Sequence, residues 1–217
     1  MLKSQLVYLD GKSFFDLDHN FYITNSLIEG YDYFEEYGKC NNKCIFCCDS
    51  GFLKNKNIPP ALCSEKSGGN TNRRIMLGYG EPTRLDNLIE KIKYLKLKYA
   101  VVSLTTNGRQ MYDFKFVRDL VRAGLNEVIF SLHGYYPQIH DYITRIRGSF
   151  VETIKGIRNV IKNNKENNLK IAISYFLTQK NVFSLYEAIQ FMTRLGINTI
   201  CLKTALPLGD AKKYIRR

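Results

Sequence analysis

No stretch of this chain reaches the ~18 consecutive apolar residues that a membrane-spanning helix needs, so no such span is expected. The opening residues, MLKSQLVYLDGKSFFDLDHN, lack an apolar core and a small-residue cleavage site. No secretory leader is therefore expected, and the expected compartment is the cytoplasm. No internal repeat recurs, which excludes a solenoid, and no low-complexity tract is present. Acidic residues are scarce beside basic ones: Asp+Glu is 20 against Lys+Arg 32, a net charge of +12. A basic protein attracts polyanions, so nucleic acid is a partner to consider. The basic residues are spread along the chain rather than blocked, however, and a solvated basic surface is the preferred reading.

What is present is an ordinary globular composition, 45% hydrophobic and 24% charged, in 217 residues. That excludes disorder, collagen and a disulfide-dense scaffold. It is enough for one core without cross-links. Strand-like runs alternate with helix-like ones. The strands are expected at Tyr31 to Tyr37, Arg74 to Tyr79, Tyr99 to Leu104, Glu127 to Leu132, Lys170 to Leu177 and Asn198 to Lys203.

Leu85, Leu88, Ile89, Ile92 and Leu95 space out as one helix face. Phe114 to Ala123 reads as a helix capped by Asp113 and followed by Gly124. Ser149 with Glu152, and Ser184 with Glu187, read as capping boxes opening two further helices. The fold class is α/β, six strands joined by crossovers, hence a parallel sheet buried on both faces. Periodicity leaves an open doubly wound sheet and a partial barrel both standing, and either places chemistry at the strand C-termini. Residues 1–30 form an N-terminal extension, with a candidate β-hairpin turning at Asp10-Gly11, and residues 31–217 form the core domain. Residues 49–73 carry Pro59-Pro60 and Gly68-Gly69 without a helical stripe, and read as a long irregular loop.

Four of the six cysteines fall between Cys40 and Cys48; the others are Cys63 and Cys201. Such a cluster in a cytosolic chain points to metal or redox chemistry. Cys40, Cys44 and Cys47 make a C-x3-C-x2-C loop directly after a strand. Three thiolates this close can wrap one side of an iron–sulfur cubane and leave one iron open. A structural zinc site, with Cys63 as its fourth ligand, is the competing reading.

At this point the chain resembles the radical S-adenosylmethionine superfamily. That family carries C-x3-C-x-aromatic-C after its first strand, and Phe46 fills the aromatic place. Gly78-Tyr79-Gly80-Glu81-Pro82 stands where the family has Gly-Gly-Glu-Pro. Thr106-Asn107-Gly108 matches its T-N-G, and Ser131-Leu132-His133-Gly134 ends the fourth strand as in many members. His140-Asp141, Arg145 and Gly148-Ser149-Phe150 resemble the stretch that follows in peptide- and cofactor-maturing members. Tyr79 departs from the pattern, and a similar Gly-x-Gly-Glu-Pro variant occurs in radical enzymes that methylate RNA adenine.

The resemblance implies a partial (β/α)6 TIM-like barrel, a [4Fe–4S] cluster held by Cys40, Cys44 and Cys47, and S-adenosylmethionine on the open iron. It implies that Phe46, Gly80 and Glu81 line the methionine end of that cofactor. Asn107 falls in the T-N-G motif, Ser131 and Arg145 would meet ribose or carboxylate, and backbone near Leu206 would meet adenine. One electron would then cleave a C–S bond, and the 5′-deoxyadenosyl radical would take hydrogen from a peptide or small-metabolite substrate. An electron donor such as flavodoxin or ferredoxin is implied. The alternatives are an RNA-modifying radical enzyme and a non-catalytic zinc-binding or interaction protein on a decayed barrel. Cys63 and His133 are weak catalytic candidates, with a loop thiol and a structural hydrogen bond as their plainer readings. Cys201 reads as core, Asp141 and His140 as orienting the next loop, and Arg73-Arg74 as a solvated pair.

Overall fold

The computed structural model describes residues 6–8, 13–16, 21–24, 31–34, 38–47, 73–164, 169–204 and 211. The Asp10-Gly11 turn, Cys48, Cys63, Leu206 and residues 48–72 lie outside them.

Among the described residues nine strands form one sheet, in the order β1-β2-β3-β9-β8-β7-β6-β5-β4. β1 is Leu6–Tyr8, β2 Ser13–Asp16, β3 Phe21–Thr24, β4 Tyr31–Tyr33, β5 Arg74–Leu77, β6 Val101–Thr106, β7 Glu127–Ser131, β8 Lys170–Leu177 and β9 Thr199–Thr204. From β4 to β9 every neighbouring pair is parallel and consecutive in the chain. A doubly wound sheet reverses its strand order at a switch point. This sheet never does within β4–β9, so the choice left open by the sequence falls to the curled half-barrel. Chain length demands the curl. A flat sheet would put β3 six spacings of ~4.8 Å from β4, roughly 29 Å. Only seven Cα–Cα steps separate Thr24 from Tyr31, at most about 25 Å. The N-terminal strands add β1 and β2 antiparallel, with Val7 opposite Phe15, and β3 parallel to β9, with Ile23 opposite Ile200.

Alternation along the strands sorts side chains to two faces. Ile75, Leu77, Val102, Leu104, Val128, Phe130, Ile173, Tyr175 and Ile200 point outward, into a core shared with the helices. These are α1 (Leu88–Lys96), α2 (Phe114–Arg122), α3 (Pro137–Thr144), α4 (Ser149–Asn163) and α5 (Leu185–Arg194). The intervening positions face the barrel interior and include Met76, Ile129 and Ala172. Cys201 is buried, as expected of a core thiol.

Some local expectations change. Leu85 is not helical. Pro82–Arg84 forms a 3-10 turn opened by proline, Asn87 takes a left-handed φ of 56°, and only then does α1 begin. Asp113 does cap α2, accepting from the amides of Lys115 (2.8 Å) and Phe116 (3.3 Å). Neither capping box forms. The N-cap of α4 is Gly148, at φ 84°, and Ser149 is already helical. The cap comes instead from the preceding helix: the Asp141 carboxylate accepts from the amides of Gly148 (2.6 Å) and Phe150 (2.8 Å) and from the Ser149 hydroxyl (2.9 Å). Ser184 precedes α5, but its hydroxyl donates to the Asn181 carbonyl. Arg73 is solvent-exposed, as expected, with a surface ion pair to Asp32, whereas Arg74 is drawn partly inward to pair with Glu127.

Candidate functional site

The cysteine loop leaves β4 and lies across the C-terminal ends of β5, β6 and β7, held mainly by its own backbone. Gly38 bridges to Gly80. Its amide donates to the Tyr79 carbonyl (3.3 Å), and its carbonyl accepts from Glu81 (2.8 Å). A side chain at Gly38 would put its Cβ 2.0 Å from the Glu81 oxygen, so only glycine lets the loop come this close. Farther along, the amides of Lys43 and Ile45 donate to the carbonyls of Thr144 (3.0 Å) and Ile143 (2.9 Å). Those carbonyls end α3 and have no partner within the helix. The loop and the helix end complete each other.

Glu81 is the hub beneath the loop. It is 1% exposed, and Oε1 accepts from the Thr83 amide (3.1 Å) and from the hydroxyls of Thr83 and Thr106 (both 2.6 Å). Oε2 accepts from the Asn107 amide at 2.7 Å. Burial raises the pKa of this carboxyl, while those four donors oppose the rise. Two of them are backbone N–H groups that can only donate, so the pocket is built for the carboxylate. Its oxygens are spent within the protein. Glu81 therefore braces the strand ends. Asn107 is a second brace: its Nδ2 donates to Asn41 Oδ1 (2.6 Å), and its Oδ1 accepts from the Arg109 amide (3.0 Å).

Cys40, Cys44 and Cys47 are half-buried and held as thiols. Burial, with the neighbouring Cys40 and Cys47 sulfurs adding to it, pushes the Cys44 thiol well above its usual range. The three cysteines stand on one short backbone-anchored loop, as ligands of one cluster must. The Asn42 amide lies 3.4 Å from Cys40 Sγ. Among the described residues no three His, Cys, Asp or Glu side chains converge on a single-ion site. A cubane asks for something else, one thiolate at each of three irons, and the loop fits that demand.

Phe46 stacks on Phe176, at the end of β8, with ring centroids 4.1 Å apart. It meets His133 edge-on at 4.7 Å. His133 and His140 are both buried. His140 Nδ1 accepts from the His133 amide (3.1 Å), and His133 Nδ1 from the Phe176 amide (3.3 Å). Asn181 ties the two strand ends, donating to the carbonyls of His133 (3.0 Å) and Phe176 (2.8 Å). Ser131 ends β7, partly exposed. Arg145 follows α3 in a left-handed conformation, φ 58°. Phe46, Gly80, Glu81, Asn107 and the three cysteines thus come together, with Ser131 and Arg145 on elements flanking them. Arg109, Asn41, Phe176 and Asn181 went unnoticed in the sequence. Phe176 shares its inward parity with Ala172 and Ser174, which was a readable signal.

Burial depresses His133 well below the usual imidazole range and His140 to about 4. An unfolded chain takes up protons near 6.5 that the folded protein refuses until lower pH. Stability is therefore complete above 6.5 and falls as pH drops toward about 4. The His140 share amounts to about 2 kcal/mol between pH 7 and pH 5. Urea unfolding at those two pH values checks this, and equal stability at both would contradict it.

The opposite end of the barrel is structural. A cavity of about 580 Å³ is lined there by the first residues of β4, β5, β7, β8 and β9, Tyr31, Arg74, Glu127, Lys170 and Thr199 among them. Glu127 accepts from Tyr31, Ser103 (2.5 Å) and Arg74 (3.0 Å), which plugs the floor. In barrels of this kind that end serves stability.

Comparison with known proteins agrees with this layout. Residues 37–192 match the model of the radical SAM superfamily. The probable GTP 3',8-cyclase of Saccharolobus solfataricus is 30% identical over 181 residues, 80% of this chain and 56% of that protein. The probable GTP 3',8-cyclase of Thermococcus kodakarensis is 27% identical over 157 residues, 69% of this chain and 49% of that protein. The chain thus spans about half the length of the curated relatives it matches. In fold it is similar to Streptococcus suis SuiB bound to the precursor peptide SuiA, with TM-score 0.64 and 16% identity, covering 92% of this chain and 44% of that one. It is also similar to anSMEcpe with bound AdoMet, with TM-score 0.59 and 16% identity, covering 80% and 50%. No described helix is long and apolar enough to cross a membrane. The family uses a [4Fe–4S] cluster and S-adenosylmethionine, and Cys40, Cys44 and Cys47 fit its motif. With its cysteine loop braced over the C-terminal ends of a parallel half-barrel and its residues 37–192 matching the family model, this chain belongs to the radical SAM superfamily.

Proposed function

We propose that the chain acts on S-adenosylmethionine at a [4Fe–4S] cluster held by Cys40, Cys44 and Cys47, and that its substrate is a small anionic molecule of the nucleotide class. The observation that carries the first half is the loop itself, three thiols on one short segment with the backbone fixed at Gly38, Lys43 and Ile45. When bound, the cluster and S-adenosylmethionine supply one-electron cleavage of a carbon–sulfur bond and hydrogen abstraction from the substrate, with the electron coming from a donor such as flavodoxin or ferredoxin.

The chain's own residues bind and exclude water. Gly80 offers backbone groups beside the loop, and Ser131 and Arg145 offer polar contacts at its flank. Phe46, Phe176 and His133 make an apolar wall, and His133 stays neutral within it because burial disfavours its charge. Two things support a nucleotide-class substrate: the curated relatives are named for GTP, and the chain has a net charge of +12, with Lys43 exposed on the loop and Arg84 lining the same cavity as Asn41. The peptide reading rests on fold likeness at 16% identity, so it ranks second.

The test is electron paramagnetic resonance of anaerobically reconstituted, reduced protein. A reduced-cluster signal that changes shape on adding S-adenosylmethionine is expected. Well-folded, iron-treated protein without a cluster signal would overturn the reading and leave the zinc-binding alternative. GTP is then expected to stimulate 5′-deoxyadenosine formation. Stimulation by peptide and not by nucleotide would move the substrate to the second reading.

A further inference from the structure

We infer that Arg109 is a positioning residue that presets the cysteine loop and, through Asn42, the surroundings of Cys40. This rests on the cluster reading above.

Arg109 opens the 3-10 turn Arg109–Tyr112 that follows β6. Gly108, at φ 75°, turns the chain there, and Asn107 Oδ1 accepts the Arg109 amide, so the side chain is returned over the cysteine loop. The Arg109 side chain is only 16% exposed. Its Nη1 donates to the Asn41 carbonyl (2.7 Å) and to Asn42 Oδ1 (3.0 Å). Its Nε pairs with Glu152 on α4. The chain of contacts runs from Glu152 through Arg109 to Asn42, whose amide reaches Cys40 Sγ at 3.4 Å.

Two consequences follow. Nη1 serves acceptors on consecutive residues while Nε, held apart from it in the same rigid plane, pairs with Glu152, a spacing of donors that the single nitrogen of a lysine cannot reproduce. A cation fixed on the loop at Asn41 and Asn42, partly offset by Glu152, and the Asn42 N–H···S contact at Cys40 also favour the reduced cluster, since charge and hydrogen bonds to sulfur tune the potential. No other described side chain donates hydrogen bonds to both Asn41 and Asn42.

The test compares Arg109→Met, Arg109→Lys and Glu152→Gln in the full chain. In the metal-free protein, amide hydrogen exchange across residues 40–45 is expected to quicken ~10-fold or more in Arg109→Met, as loss of hydrogen bonds from a charged group implies. Arg109→Lys is expected to quicken it nearly as much. The partly exposed Glu152→Gln, which leaves the fork in place, should fall between Arg109→Met and wild type. In reconstituted protein, Arg109→Met is expected to lose iron faster to a chelator and to show a smaller reduced fraction at a fixed potential. Arg109→Lys, which keeps the charge, should recover the reduced fraction but not the exchange protection. Wild-type exchange in both Arg109→Met and Arg109→Lys would overturn the inference, as would wild-type exchange in Glu152→Gln if Arg109→Met does not fold. If wild-type protein takes up no cluster, the proposed function fails, and the metal-free exchange still decides the role of Arg109.

Discussion

Cys44→Ala is expected to give a folded protein that retains no [4Fe–4S] cluster and cleaves no S-adenosylmethionine. A cubane held by three thiolates cannot lose one and keep its open iron defined. The fold should survive, because the loop is fastened by backbone rather than by sulfur. The amides of Lys43 and Ile45 bond the end of α3, and Gly38 bonds the backbone of Tyr79 and Glu81. The cost to the metal-free protein is about 1 kcal/mol, ordinary for a single truncation. Iron analysis after reconstitution and thermal unfolding of the metal-free protein check the two halves separately. A full complement of iron in the variant would show that Cys44 is not a ligand.

Glu81→Gln is expected to cost about 2–4 kcal/mol, a large loss for so conservative a change. The Thr83 amide points at one oxygen and the Asn107 amide at the other. Whichever way the glutamine turns, its NH2 meets a backbone N–H that has no other acceptor. Two elements then loosen at once, the turn that leads into α1 and the strand end that carries Asn107 toward Asn41. The cysteine loop above them should loosen as well, since Glu81 also donates its own amide to Gly38. Urea unfolding of the metal-free variant measures the loss. A change under about 0.5 kcal/mol would mean the buried carboxyl is protonated in the native state, because a protonated acid is well mimicked by an amide.

Much of the barrel was legible because buried parallel strands leave a local mark. Lys170–Leu177 was bounded correctly, and β6 and β9 were displaced by one or two residues. The Asp113 cap was legible because the side chain bonds its own helix. The two capping boxes failed for the opposite reason. Ser149 and Glu152 have the right spacing, but Asp141 reaches the α4 N-terminus from another helix, and Glu152 is drawn to Arg109. Arg74 looked like a surface charge until the barrel set it against Glu127, 53 residues away.

The amino-acid sequence by itself determined the α/β class, the alternation of strands and helices, and the C-x3-C-x2-C loop with Gly80-Glu81 and Asn107-Gly108 at strand ends. Each of these is a matter of spacing or of residue type along a few neighbouring positions. Tertiary structure decided that the sheet curls, because only the pairing order and the short link from Thr24 to Tyr31 require it. It also decided that Glu81 braces the strand ends, and that Arg109 reaches the cysteine loop. Those roles depend on donors and acceptors far apart in sequence, which find one another only when the strand ends are side by side.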